Sequence, residues 1–271
     1  MTTFFVGGCM RSGTTMLQAV LCSTEDTNPL IHEAKYVTLL ANLHRYEQEM
    51  LESHLSHYFD DPGELKNFHA EQMQRFLQHT LKHFHPAAHL VLKNPEMTAM
   101  FPEICELVKD AKFIVSVRDP RDTIASMLAV TRRQTELGQV SNLTQMAGDL
   151  KKYAAHFNWY YAPLFSSGNS DLREKLLIVK YEDLVADTEA TVNAMAEFTG
   201  LPLQDFDAAQ PWRTLVEFSE EKLTAGTFYS KLLGKPLSKD SIGNHARAFT
   251  KEDIQIIEQA CRPFMETFRY E

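Results

Sequence analysis

A chain of 271 residues with 44% hydrophobic content carries enough apolar material for one large core, and no repeat, charged tail or Pro-, Gly- or Ser-rich tract divides it. Its formal net charge of -9 argues against a general nucleic-acid binder, which carries a basic face, so an anionic ligand needs a local basic pocket. Phe4, Phe5 and Val6 make too short an apolar run for a secretory leader, and no uncharged apolar stretch reaches the ~18 residues that span a bilayer. With Cys9, Cys22, Cys105 and Cys261 outside any CxxC pair, the expectation is a cytoplasmic protein without a membrane anchor.

Short runs rich in Val, Ile and Phe alternate with helical patterns, which predicts an α/β protein with a parallel sheet. The expected strands are 4–7, 89–92, 112–117 and 176–180, and each stands directly before residues with chemistry in them. Ligands of open α/β sheets bind beyond the carboxyl ends of the strands, so these four features are expected to meet in one crevice.

The first strand runs into Gly8, Cys9, Met10, Arg11, Ser12, Gly13, Thr14 and Thr15, after which Met16, Leu17, Ala19, Val20 and Leu21 begin an apolar helix. Strand, glycine loop and helix N-terminus present backbone N–H groups and a favourable dipole to a phosphate. Gly8 and Gly13 have the spacing of the nucleoside-triphosphate P-loop and Thr15 occupies its Ser/Thr place, but Thr14 stands where that motif has Lys. Arg11 supplies a planar cation from within the loop instead.

Glu33 and the adjacent His32 follow the short apolar pair Leu30 and Ile31. From 34 to 87 the pattern is helical, divided at Asp61, Pro62 and Gly63 into two helices that form either a lid or acceptor face or plain packing helices. Leu39, Leu40, Leu43, Phe68, Met73 and Leu77 belong to that pattern. His79 and His83, four apart, share a helical turn, with no third ligand at a defined spacing to make a metal site. The second strand ends at Lys93, Asn94 and Pro95.

After the third strand, Asp119 is placed to cap a helix that Pro120 opens, with Arg118 before it and Ser126 two turns in. Arg118 and Ser126 read as a phosphate clamp or, more plainly, as part of an Arg–Asp ion pair. The fourth strand ends in Lys180, Tyr181, Glu182 and Asp183, whose acids could also serve a magnesium ion in an NTPase. Near the C-terminus Lys231, Lys235 and Lys239 with Gly234, Pro236 and Gly243 read as a basic loop able to close on an anion, or as a solvated surface loop.

Taken together these residues resemble the sulfotransferases that use 3'-phosphoadenosine 5'-phosphosulfate, closest to the branch with Golgi-type and bacterial members. Arg11, Ser12, Gly13, Thr14 and Thr15 resemble its 5'-phosphosulfate loop, and Arg118 with Ser126 eight residues later resembles its 3'-phosphate motif. Tyr181 matches a nucleotide-contacting Tyr. Lys239 and Gly243 fit the loop that closes over the nucleotide, whereas Ser238 and His245 stand where many members have Arg and Trp, which leaves those two contacts unassigned.

The resemblance implies Lys93 as the catalytic Lys, Arg11 as a second cation, and Glu33 as the base; His32 is the residue type that serves in the cytosolic branch. It implies a single α/β domain of P-loop NTPase-like sulfotransferase fold with a helical insertion at 34–87. The implied reaction moves a sulfuryl group to a hydroxyl acceptor and releases adenosine 3',5'-bisphosphate, without a metal. The acceptor stays open among small alcohols, phenols, sugars, lipids and peptide tyrosines. A P-loop kinase or a non-catalytic nucleotide-binding module is the alternative.

Overall fold

The computed structural model describes residues 1–212 and 235–271. Strands β1 (Thr3–Gly8), β2 (Leu90–Lys93), β3 (Ala111–Val117) and β4 (Leu176–Lys180) fall within one residue of the expected bounds. Among the described residues they form a parallel sheet in the order β2-β1-β3-β4. The register keeps the carboxyl ends level: Val6 pairs with Lys93, Gly8 with Ser116, and Val117 with Lys180. The chain leaves β1 toward opposite sides for β2 and β3, so the loops after β1 and β3 flank the switch point where such sheets bind ligands.

The helices in chain order are α1 (Thr14–Leu21), α2 (Lys35–Met50), α3 (Pro62–Lys82), α4 (Phe101–Leu107), α5 (Pro120–Glu136), α6 (Asn142–Gln145) and α7 (Leu150–Ser166). They continue as α8 (Ser170–Glu174), α9 (Tyr181–Ala186), α10 (Thr188–Thr199), α11 (His245–Ala248), α12 (Lys251–Ala260) and α13 (Arg262–Phe268). Strand residues alternate between two buried faces. Phe4, Val6, Val91 and Ile114 pack with Leu17, Val20 and Leu21 of α1 and with Met195 of α10. Phe5, Leu92, Phe113 and Val115 pack with residues of α2 to α5, α7, α12 and α13 on the other face. Helices on both faces are why the strands read as nearly continuous apolar runs.

The insertion at 34–87 divides where expected. Asp61 caps α3 by accepting from the N–H groups of Gly63 and Glu64, and Pro62 fills a first-turn position that needs no N–H. A π-helical turn, Leu51–Leu55, follows α2. The periodic apolar set splits between two faces: Leu40, Met73 and Leu77 join the core, whereas Leu39, Leu43 and Phe68 face outward. Spacing identified the helices and left open which stripe they bury. His79 and His83 meet at the surface in the last turn of α3, with Nε2 atoms 3.2 Å apart.

Edge strand β2 is completed by a stretch of extended chain. Asn28 Nδ2 donates to Val91 O at 3.2 Å while its Oδ1 accepts from Val91 N at 2.6 Å, so one side chain acts as a strand partner. Thr27 bridges to His89, Gln18 Nε2 donates to Ile31 O, and Ala34 N donates to Lys93 O at 2.9 Å. Residues 27–34 are thereby tied along β2 up to its carboxyl end, which carries Glu33 to Lys93.

Candidate active site

The loop after β1 is held from below by side chains distant in sequence. Thr98 Oγ1 accepts from Gly8 N at 2.6 Å, and the buried Tyr161 hydroxyl accepts from Cys9 N and donates to Ser116 O, both at 2.9 Å. Ser12 Oγ donates to Cys9 O at 2.7 Å and Ser116 Oγ donates to Ser12 O at 2.6 Å. The Ser12 hydroxyl thus pins the loop, and its own N–H and C=O are engaged by Cys9 O and Ser116 Oγ. Gly8 has φ 127°, and a Cβ there would lie 2.5 Å from the Ser116 carbonyl oxygen, so the close approach of β3 demands glycine.

Two further positive angles shape the rim. Arg11 is held at φ 71°, a left-handed conformation that side-chain-bearing residues adopt at some expense and that concentrates at ligand sites. Gly13 at φ 103° lies where a Cβ would meet the Tyr181 ring at 2.5 Å. Intrahelical bonding in α1 starts with Met16 N donating to Gly13 O, so the N–H groups of Gly13, Thr14 and Thr15 open its first turn toward an anion. The Thr14 and Thr15 side chains make no hydrogen bond among the described residues.

Three cations border this loop. Lys93, 7% exposed, donates from Nζ to Glu33 Oε1 at 3.0 Å. Burial lowers its pKa; the Glu33 carboxylate partly restores it and the Arg11 charge lowers it further. Arg11 is pushed down to about 10 by burial and then by the charges of Arg133 and Arg118, and its Nε donates to Ser126 Oγ at 3.1 Å. Of the two candidate bases, Glu33 receives the Lys93 bond and is open to solvent, with His32 exposed beside it.

The Arg118 guanidinium carbon lies over the Tyr181 ring, 4.6 Å from its centroid. Its Nη1 donates to Arg11 O at 3.1 Å and its Nη2 to Ser241 O at 2.5 Å, while Nε is buried with no hydrogen-bond partner among the described residues. Tyr181 closes the group through a 2.8 Å hydroxyl contact with Ser241 Oγ. Ser126 and Arg118 thus each bond Arg11, and Tyr181 lies against Arg118. Gly243 sits on the covering turn, and Lys239 lies exposed two residues before Ser241 with no contact to the clamp among the described residues. Lys231 and Gly234 lie outside the described residues. Glu182 has both oxygens engaged, by Asp119 N at 3.0 Å and the Tyr270 hydroxyl at 2.9 Å, which gives it a structural part instead of a metal ligand's.

Sequence reading missed Thr98, Ser116 and Tyr161. Only Ser116 left a signal, a lone hydroxyl in a strand that is otherwise apolar after Lys112. These residues fit an anionic group: the first turn of α1 has N–H groups open, and Arg11, Lys93 and Arg118 place positive charge beside it.

Fold and site define an α/β protein whose first strand runs into a glycine-bearing loop bordered by cations from the loop itself and from two neighbouring strand ends. Residues 3–205 match the model of the sulfotransferase family, and the chain belongs to that family. It is 28% identical over 207 residues to protein-tyrosine sulfotransferase 2 of Gallus gallus, covering 76% of this chain and 53% of that one. The protein-tyrosine sulfotransferase of Drosophila melanogaster is 27% identical over 241 residues, covering 88% and 43%. The chain spans about half the length of these curated relatives.

Among solved structures, the sulfotransferase domain of the Synechococcus PCC 7002 olefin synthase superposes with TM-score 0.59 at 18% identity, covering 100% of this chain and 94% of that one. Sulfotransferase STF9 from Mycobacterium avium superposes with TM-score 0.56 at 15% identity, covering 100% and 77%. These likenesses establish the shared fold.

Tyr161→Phe tests the loop support, because it strands Cys9 N–H and removes a donor from Ser116 O. Unsatisfied buried groups cost about 1–3 kcal/mol, so the urea midpoint is expected to fall by that equivalent with an unchanged slope. An unchanged midpoint would show that the hydroxyl contributes nothing to loop stability.

Proposed function

We propose that this chain transfers a sulfuryl group from 3'-phosphoadenosine 5'-phosphosulfate to a hydroxyl acceptor. The observation that carries the reading is the 3.0 Å pairing of Glu33 with Lys93 beside Arg11, at the mouth of a loop rich in free N–H groups. The family supports sulfuryl transfer, and the names of the curated relatives make a tyrosine hydroxyl in a protein the first acceptor to test. Four buried free thiols, Cys9, Cys22, Cys105 and Cys261, support the proposal of a reducing, cytoplasmic location.

In this reading the N–H groups of Gly13, Thr14 and Thr15 hold the 5'-phosphosulfate, and Arg118 with Ser126 holds the 3'-phosphate. Tyr181 stacks beneath Arg118 and keeps its guanidinium planar to the clamp. Glu33 takes the acceptor proton as the acceptor oxygen forms its bond to sulfur. The bond from sulfur to the bridging phosphate oxygen breaks, and its electron pair leaves with adenosine 3',5'-bisphosphate. Lys93 and Arg11 stabilise the charge that grows on that oxygen, the role that preorganised cations serve in phosphoryl transfer. Lys93, which bonds the proposed base Glu33, is assigned the proton supplied there, because an ammonium gives one up more readily than an ordinary guanidinium.

The direct test is transfer of radiolabelled sulfuryl from the donor to a tyrosine peptide and to simpler phenols and alcohols, with EDTA present. Transfer to any of these supports the reading, and donor binding without turnover across all of them contradicts it. A general base contributes about 100-fold to 10,000-fold, so Glu33→Gln should lose rate on that scale while keeping affinity for adenosine 3',5'-bisphosphate. Near-normal turnover in Glu33→Gln would remove Glu33 as the base.

The lowered pKa of Lys93 fixes a pH dependence. Activity needs the protonated form, so kcat/KM should fall as pH rises through a value below the ordinary 10.5. Lys93→Arg should turn over more slowly and lack that alkaline limb. With the same acceptor in both proteins its own titration cancels, and an identical limb in Lys93→Arg would assign the limb to another group.

A further inference from the structure

Asp122 sits in the first turn of α5, one turn beyond Arg118, with a side chain that has no exposure to solvent. Its Oδ2 accepts from Gly243 N at 2.7 Å. Its Oδ1 accepts from His245 N at 2.9 Å and from His245 Nδ1 at 2.8 Å. Arg118 Nη2 is 3.9 Å away. Among the described residues all three hydrogen bonds to this buried carboxylate come from one short segment, in which Gly243 adopts the left-handed φ of 73°. On its other side the segment is gripped by Arg118 at Ser241 O and by the Tyr181 hydroxyl at Ser241 Oγ.

We propose that Asp122 is a positioning residue that docks residues 241–245 onto the Arg118–Ser126 clamp and so sets the preference for a 3'-phosphorylated nucleotide. The proposal rests on the reading of Arg118 and Ser126 as 3'-phosphate ligands. A buried carboxylate is stable only while its donors stay, so departure of the segment would leave Asp122 with Arg118 alone. The segment is therefore docked before any nucleotide arrives. Docking also orients the ligand group. The Ser241 carbonyl holds Nη2 and the Arg11 carbonyl holds Nη1, fixing the guanidinium over the Tyr181 ring. His245 enters this arrangement through its backbone N–H and Nδ1, which is what the residue does in the place where many sulfotransferases carry Trp.

An acid in the first turn of a helix also favours the helix dipole, and that role alone predicts a small stability change with no change in selectivity. The test compares wild type, Asp122→Ala and Asp122→Asn in three measurements. Calorimetry should show that adenosine 3',5'-bisphosphate binds about tenfold or more weakly to Asp122→Ala, the scale of one lost charge-assisted contact, while AMP affinity stays within about twofold. KM for the sulfuryl donor should rise by a similar factor with kcat within about twofold. Amide exchange at Gly243 and His245 in the nucleotide-free protein should be slow in wild type and about tenfold faster in Asp122→Asn, which retains one acceptor oxygen and carries the test if the alanine variant does not fold.

A wild type that binds the two nucleotides equally overturns the 3'-phosphate reading and this role with it. A wild type with the preference, alongside an Asp122→Asn variant that keeps both the preference and slow exchange, overturns the role of Asp122 alone.

Discussion

Positive charge withheld from water is the constraint on which the crevice depends. Arg11, Lys93 and Arg118 gather where β1, β2 and β3 end, in a chain whose formal net charge is -9. Burial lowers the pKa of Lys93 and takes Arg11 down to about 10, and in both cases a neighbouring cation adds to the shift. Gathering like charges in a poorly solvated place opposes folding, and an anionic ligand relieves that opposition by its differential interaction with the charged site. Such an arrangement belongs at functional sites more often than in structural cores.

The architecture supplies this crowding through level strand ends. Because Val6 faces Lys93 and Val117 faces Lys180, the groups that follow β1, β2, β3 and β4 project from one rim. Glu33 has no strand of its own to bring it there. Asn28 and Ala34 do so by bonding residues 27–34 to β2, which joins a carboxylate early in the chain to a lysine 60 residues later. Rigid scaffolding of this kind holds the two side chains close without a rearrangement of the chain.

Much of this was legible because the signals are local. An apolar run followed by glycines and an Arg marks a strand, loop and helix start wherever it occurs, and Lys93 and Tyr181 declare themselves by standing at strand ends. Asp61, Pro62 and Gly63 marked the break before α3, and the structure adds that Asp61 caps it. Contacts between distant segments left little trace: Tyr161 supports Cys9 across 152 residues, and no spacing rule connects them. Leu39 and Leu43 kept the helical period yet face solvent, because the period does not tell which stripe the sheet will cover. His245 departed from the family's Trp, and only its bonds to Asp122 show what it does instead.

In the proposed function Arg118 and Ser126 make this crevice a site for a 3'-phosphorylated adenine nucleotide. Calorimetric titration of the wild-type chain with adenosine 3',5'-bisphosphate and with AMP, at one salt concentration, tests it most directly. Charge-assisted contacts to the added phosphate contribute about 1.5–3 kcal/mol, so the bisphosphate should bind at least about tenfold more tightly, and Arg118→Ala should erase most of the difference. Equal affinity of the wild type for the two nucleotides would contradict the account.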